Sequence, residues 1–156
     1  MTETPQSPHD FEATLVAGWR AKGRRVGFAN GAFDLLHVGH LRYLQGARAE
    51  VDALIVAINS DRSVRAAKGE HRPVIPESER LELVRALACV DHAFVFDTAT
   101  VDTLLEKLRP DVHFKGTDYT ADSVPEAKTA RRLGIEVRIS GDPKDHSTSA
   151  LVKQLK

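Results

Sequence analysis

Cysteine and net charge are what this sequence has least of. Cys89 is the single cysteine in 156 residues, which excludes an intrachain disulfide framework and a cysteine-cluster zinc site and fits a reducing cytoplasm. Lysine plus arginine and aspartate plus glutamate number 22 each, so no global field recruits nucleic acid or a membrane, and any anion site must be local. A basic, aromatic-studded stripe is also lacking, which argues against a nucleic-acid-binding domain. No apolar run approaches membrane-spanning length, and the opening MTETPQSPHDFEAT has no basic region followed by an apolar core, so it does not read as a secretory signal. Internal repeats and low-complexity linkers are missing too. A single cytoplasmic domain over residues 1–156 is expected, with 1–10, which contain Pro5 and Pro8, as a flexible tail.

What is present is 42% hydrophobic residues in a regular rhythm, enough for a real core. Phe11, Leu15 and Trp19 recur at helical spacing up to Gly23, and RRVGFAN follows as a first strand. HVGHLRYLQGARAE reads as a helix with Leu41, Leu44 and Ala47 on one face. DALIVAINS is a continuous apolar run, the mark of a strand covered on both faces. PESERLELVRALACV opens on Pro76 and acidic residues as helices do. HAFVF, DVHFKG and IEVRI are three more strands, the last alternating as an edge strand does; TVDTLLEKLRP, SVPEAKTARRLG and TSALVKQL are helices. Strands alternating with helices predict an α/β fold: a Rossmann-like, doubly wound, parallel five-stranded sheet with helices on both faces. Ligands of such sheets bind beyond the carboxyl ends of the strands, which puts residues 29–40, 59–72 and 114–120 on the candidate face.

The richest element on that face is NGAFDLLHVGH. Asn30-Gly31 gives a sharp exit from the first strand, where glycine lets backbone amides face outward. Asp34 could cap the next helix or order the loop. His37 and His40 fall one turn apart near a helix start, where exposed N–H groups and the helix dipole favour an anion, and Gly39 between them removes a side chain that would hold phosphate away. Three readings compete: metal ligands, core residues, or fingers on a phosphate chain. Metal ligation needs a third ligand, and the spacing is not the i, i+4 of the helical zinc motif. A structural role for both histidines is the ordinary default, weakened by the glycine and by the strand-to-helix position.

The wider pattern resembles the nucleotidylyltransferase superfamily, whose hallmark is His-x-Gly-His after a first strand, here HVGH. More narrowly it resembles the D-glycero-β-D-manno-heptose 1-phosphate adenylyltransferase family through NGAFDLLHVGHLRYL, VAINSD, KGEHRPVIPESER, VDHAFVF, RPDVHFKGTDY and STS, in that order across residues 26–155. The resemblance implies that His37, His40 and Lys68 are catalytic, with Lys68 on a mobile loop after the second strand. It implies nucleotide contacts from Asn30, Gly31, Ala32, Phe33, Gly39, Arg80, Lys115, Gly116, Ser147, Thr148 and Ser149, where Ser149 keeps the hydroxyl of the family's Ser-Thr-Thr-like element. Asp34, Arg72, Asp118 and Tyr119 are the expected acceptor contacts.

The implied reaction is attack of a sugar phosphate on the α-phosphate of a nucleoside triphosphate, with release of pyrophosphate. Its nucleophile is already ionised at pH 7, so the site needs positioning and charge neutralisation rather than a strong base. ATP and a heptose 1-phosphate, giving ADP-heptose, are the expected substrates, with Mg2+ bridging phosphate oxygens and no dedicated protein metal site. A cytidylyltransferase using CTP and glycerol 3-phosphate shares the layout, and a non-catalytic nucleotide-binding sensor is the rival from another class. Relatives are often homodimers, for which the edge strand and the N-terminal helix offer surfaces.

Overall fold

Alternation along the strands builds the molecule. In DALIVAINS, Ala53, Ile55 and Ala57 pack into one core while Leu54, Val56 and Ile58 pack into another, because successive side chains leave a strand on opposite faces. The run is β2 (Ala53–Asn59), buried from Ala53 through Ile58. A computed structural model describes residues 7–143 and 147–155. Its other strands are β1 (Val26–Gly31), β3 (His92–Phe96), β4 (Val112–Lys115) and β5 (Glu136–Ile139), and the sheet runs β3-β2-β1-β4-β5 with every pairing parallel. The expected doubly wound α/β sheet is therefore observed, with β5 at an edge and its Glu136 and Arg138 exposed.

Helices α1 (Asp10–Ala21), α5 (Asp102–Leu108) and α6 (Ala127–Leu133) cover one face through Val16, Leu104, Leu105, Leu108 and Ala130. Helices α2 (Val38–Ala49) and α4 (Glu77–Arg85) cover the other through Leu44, Ala47 and Val84. Each fully buried Leu, Ile or Phe contributes roughly 1.5–3 kcal/mol, so the two cores hold the sheet between its helices. The chain lays down β1, β2 and β3 outward in one direction, then returns to place β4 against the other side of β1. That reversal leaves a crevice at the carboxyl ends of β1 and β4, the place where such sheets take ligands.

Three local expectations are corrected. Lys68, expected on a loop after the second strand, instead ends helix α3 (Asp61–Lys68), capped by Ser60, whose hydroxyl accepts from the Ser63 N–H at 3.1 Å. Its sequence hides it, since Val64 alone is buried and no apolar stripe repeats. Residues 7–10 are not a free tail: Lys107 Nζ donates to the Pro8 carbonyl and pairs with Asp10 at 2.7 Å, while residues 1–6 lie outside the described residues. The helices read from SVPEAKTARRLG and PESERLELVRALACV are shorter than predicted, with turns at 121–126 and 86–89. The last helix is α7 (Thr148–Gln154), capped by Ser147, which accepts from the Ala150 N–H at 3.0 Å.

Candidate active site

The exit from β1 is built under strain. Phe33 and Leu35 both hold left-handed backbone angles, φ 51° and 48°, which non-glycine residues rarely adopt outside sites where the surroundings enforce them. Phe33 is enforced by packing: its ring lies over Gly31, where a side chain would come within 3.1 Å of it, and 5.4 Å from the His40 ring. Gly31 thus leaves the space that the Phe33 ring fills.

The two histidines are held by the backbone they precede. His37 is the N-cap of α2; its Nδ1 accepts from the Gly39 N–H at 3.0 Å, and His40 Nδ1 accepts from the His37 N–H at 3.2 Å. This reciprocal cap satisfies two orphan donors of the helix start. Accepting on Nδ1 leaves the ring proton on Nε2, so each imidazole carries a donor on the edge turned away from the helix. The rings stack 3.9 Å apart at 27°. Burial, then the neighbouring His37 and Lys68, push the His40 pKa down to about 4. In the ligand-free protein His40 is therefore neutral at pH 7, with its ring proton on Nε2.

These rings line a cleft of about 260 Å3. Lys68, the last residue of α3, lines it as well, as do Gly39, Ser147, Thr148 and Ser149. Gly116 and Asp118 form part of the opposite wall. Gly116 has no atom within 4 Å of where a Cβ would sit, so the glycine leaves open room in the wall and answers no packing demand of the protein itself. Thr148 ties the site together, its hydroxyl donating to the Asp34 carbonyl across 114 residues of chain.

The remaining expected residues sit around the cleft without lining it. Arg80 is fully buried, and its guanidinium donates to the carbonyls of Ile75, Asn59 and Ala32 and pairs with Asp61 Oδ1 at 2.8 Å. It is thus a structural node joining β1, β2, α3 and the lead into α4. Lys115 faces the α6 side of the sheet, because Phe114 takes the α2 side. Its Nζ lies 3.8 Å from Glu126 and 5.0 Å from the centre of the Tyr119 ring, and Glu126 also meets the buried His113 at 3.3 Å. Burial opposes the Glu126 charge, yet His113 and Lys115 hold its pKa below the ordinary range.

Asp34 takes the loop-ordering role. It is 1% exposed and accepts from Arg72 Nε at 3.0 Å and from the N–H groups of Val74 and Ile75 at 2.9 and 3.0 Å. Burial works against its charge, but these donors win and its pKa is lowered. Arg72 Nη2 and Asn30 Oδ1 are buried without a hydrogen-bond partner among the described residues, polar atoms of the kind that a ligand or ordered water satisfies.

Comparison with known proteins agrees with this arrangement, since residues 28–154 match the cytidylyltransferase-like family. The chain belongs to that family. It is 43% identical over 146 residues to the bifunctional protein HldE of Geobacter sulfurreducens, covering 94% of this chain and 30% of that protein. It is 48% identical over 140 residues to the HldE of Bradyrhizobium sp. strain ORS 278, covering 90% and 29%. The chain thus spans about 30% of the length of the curated relatives it matches. Among solved structures, the lipopolysaccharide core biosynthesis protein of Thermoplasma volcanium superposes with a TM-score of 0.65 at 30% identity, over 75% of this chain and 94% of that one.

In this cytidylyltransferase-like chain some lining residues were not individually foreseen. Tyr43 stands one turn beyond His40, and Thr117, Ser140, Gly141 and Asp142 complete the far wall. The helical spacing from His40 was a usable signal for Tyr43. The loop after β5 enters the cleft through tertiary placement.

Proposed function

We propose that this chain is a nucleotidylyltransferase that moves AMP from ATP to a heptose 1-phosphate, forming ADP-heptose and pyrophosphate. The observation that carries the reading is the pair of stacked imidazoles, each with its proton on Nε2, facing a cleft shared with Lys68 and the hydroxyls of Ser147, Thr148 and Ser149. In the reaction an anionic oxygen of the sugar phosphate forms a bond to the α-phosphorus as the bond from that phosphorus to the bridging oxygen breaks. The bonding pair leaves with pyrophosphate. No proton transfer to the protein is needed, which suits a site that offers hydrogen-bond donors and the Lys68 ammonium rather than a strong base. His37 and His40 donate to oxygens of the reacting phosphates, and Lys68 offsets charge collecting on the leaving group.

The residues present suit a Mg2+ ion that arrives on the triphosphate. Among the described residues no group of three or more His, Cys, Asp or Glu is placed to hold a metal. The wall includes Asp118 and Asp142, the latter paired with Arg42 at 2.7 Å, and Mg2+ typically takes one or two carboxylates besides phosphate oxygens and water. When bound, the ion would neutralise phosphate charge. On the acceptor side, the unpartnered Arg72 Nη2 supports a phosphate contact from that arginine. A cytoplasmic location and pairing of two copies through the β5 edge or α1 complete the proposal. The lone cysteine and the edge position of β5 support it, and no described helix is long and apolar enough to cross a membrane.

The family match favours one second reading, CTP with glycerol 3-phosphate or a similar alcohol phosphate. Pyrophosphate release from each of the four nucleoside triphosphates, against a panel of sugar and polyol phosphates, separates the two. ATP with heptose 1-phosphate should be fastest. A preference for CTP overturns the adenylyl assignment, and silence with every pair would leave a nucleotide-binding sensor.

A further inference from the structure

The β1–β4 ladder stops early. Its registered pairs end at Ala29 and Phe114, whereas β1 stays paired to β2 as far as Gly31 and Ile58. In the gap beyond Ala29 sits the hydroxyl of Tyr43, which donates to the Phe114 carbonyl at 2.8 Å and lies beside the Asn30 backbone. Burial pushes the phenol pKa up, so the hydroxyl keeps its proton and stays a donor. One side chain from α2 therefore replaces the missing rung between the two strands whose divergence opens the crevice.

The same residue is gripped from outside. The Ser140 hydroxyl donates to the Tyr43 carbonyl at 2.9 Å, and the Ser140 N–H donates to the Lys115 carbonyl at 2.9 Å. Two glycines permit this approach. A Cβ on Gly46 would stand 2.6 Å from Ser140 Oγ, and one on Gly141, whose φ is +102°, would stand 3.4 Å from the Tyr43 Cα. Tyr43 is thus the point where α2, the ends of β1 and β4, and the loop after β5 meet. On one side of it, three residues back along α2, is His40; on the other are Gly116, Thr117 and residues 140–142 of the far wall.

We infer that Tyr43 is a positioning residue: its hydroxyl fixes the distance between the histidine pair and the wall against which the nucleotide lies. The inference rests on the nucleotidylyltransferase reading and adds to it a residue that touches neither phosphate nor metal. Placement errors of about 1 Å cost on the order of 10²-fold in rate, so the loss should fall on the reaction step more than on nucleotide binding.

The test is Tyr43→Phe, which keeps the ring and deletes the hydroxyl, with Ser140→Ala as a second variant that removes only the bond to the Tyr43 carbonyl. Two readouts are taken on folded protein: pyrophosphate release with ATP and heptose 1-phosphate, and the ring N–H signals of His40 in histidine-labelled protein. Tyr43→Phe should lower kcat about 10- to 100-fold with KM for ATP held within about 3-fold, and should move the His40 ring signals. If Tyr43→Phe does not fold, Ser140→Ala carries the test, with kcat expected to fall about 3-fold and the same signals to move. A kcat within 2-fold of the parent, a rise in KM alone, or unmoved His40 signals in the folded variant overturns the inference. Should the parent release no pyrophosphate with any substrate pair, the function reading fails, and the ring signals alone decide the positioning role.

Discussion

Replacing Arg80 by methionine separates a structural role from a nucleotide-binding one. The guanidinium is 0% exposed and serves the Ile75 carbonyl at 2.9 Å, the Asn59 carbonyl at 2.8 Å, the Ala32 carbonyl, and Asp61 Oδ1 at 2.8 Å. Hydrogen bonds to a charged group contribute about 1.5–3 kcal/mol each, so simple addition over the four would give roughly 6–12 kcal/mol. That sum overshoots, because the four share one cation and the Asp61 side chain, 30% exposed, regains water when its partner goes. The cost of breaking a buried ion pair by removing one partner, about 3–5 kcal/mol, is the better figure. Set against a domain stability of about 5–15 kcal/mol, it is a third or more of the total in most of that range. With a urea m-value near 2 kcal/mol/M, the unfolding midpoint should drop by about 2 M. Arg80→Lys should recover part of the loss, since an ammonium reaches some but not all of the four acceptors. Urea unfolding and nucleotide titration of the same preparations give the answer. A stability loss under about 1 kcal/mol together with weakened ATP binding would refute the reasoning and return Arg80 to the triphosphate.

His40→Ala should cut turnover by about 10²- to 10³-fold while removing one helix-cap acceptor, a loss of about 1 kcal/mol; activity within tenfold of the parent would contradict the donor role. Lys68→Met should raise the His40 pKa from about 4, because the ammonium is one of the groups that holds it down, and a ring titration by NMR measures this directly. Stability should fall with acid in a defined window. The folded His40 pKa of about 4 lies below its ordinary 6.5, so the unfolded chain takes up the proton first and native stability drops as pH falls from 6.5 through 4. At about 1.4 kcal/mol per pH unit the drop is on the order of 3 kcal/mol, and it should vanish in His40→Asn when unfolding is followed at pH 7 and pH 4.5.

The fold was legible because the strands of a parallel sheet are written as apolar runs such as ALIVAI, and the helices between them as periodic ones. Helix α3 was not, since it buries Val64 alone and is fixed by its Ser60 cap and by Asp61 meeting Arg80. The histidine pair was legible from His-x-Gly-His, but the tautomer was not, because it depends on which backbone N–H groups each Nδ1 accepts. Arg80 and Lys115 look alike in sequence to any phosphate-binding cation. Only strand alternation at Phe114 and the acceptors converging on Arg80 show that both side chains turn inward. Arg72 and Asp34 were both singled out, and their pairing at 3.0 Å across 38 residues is information that no local pattern holds.

The bond from Thr148 to the Asp34 carbonyl has a meaning for synthesis as well as for binding. A ribosome makes the histidine pair more than a hundred residues before Ser147, Thr148 and Ser149, so a growing chain owns its two imidazoles long before the hydroxyls that line the cleft with them. Nascent or prematurely ended chains that stop short of Ser147 therefore carry the signature motif with an unfinished pocket. The pocket is complete only when α7 has been made and docked, and not at the folding of the motif.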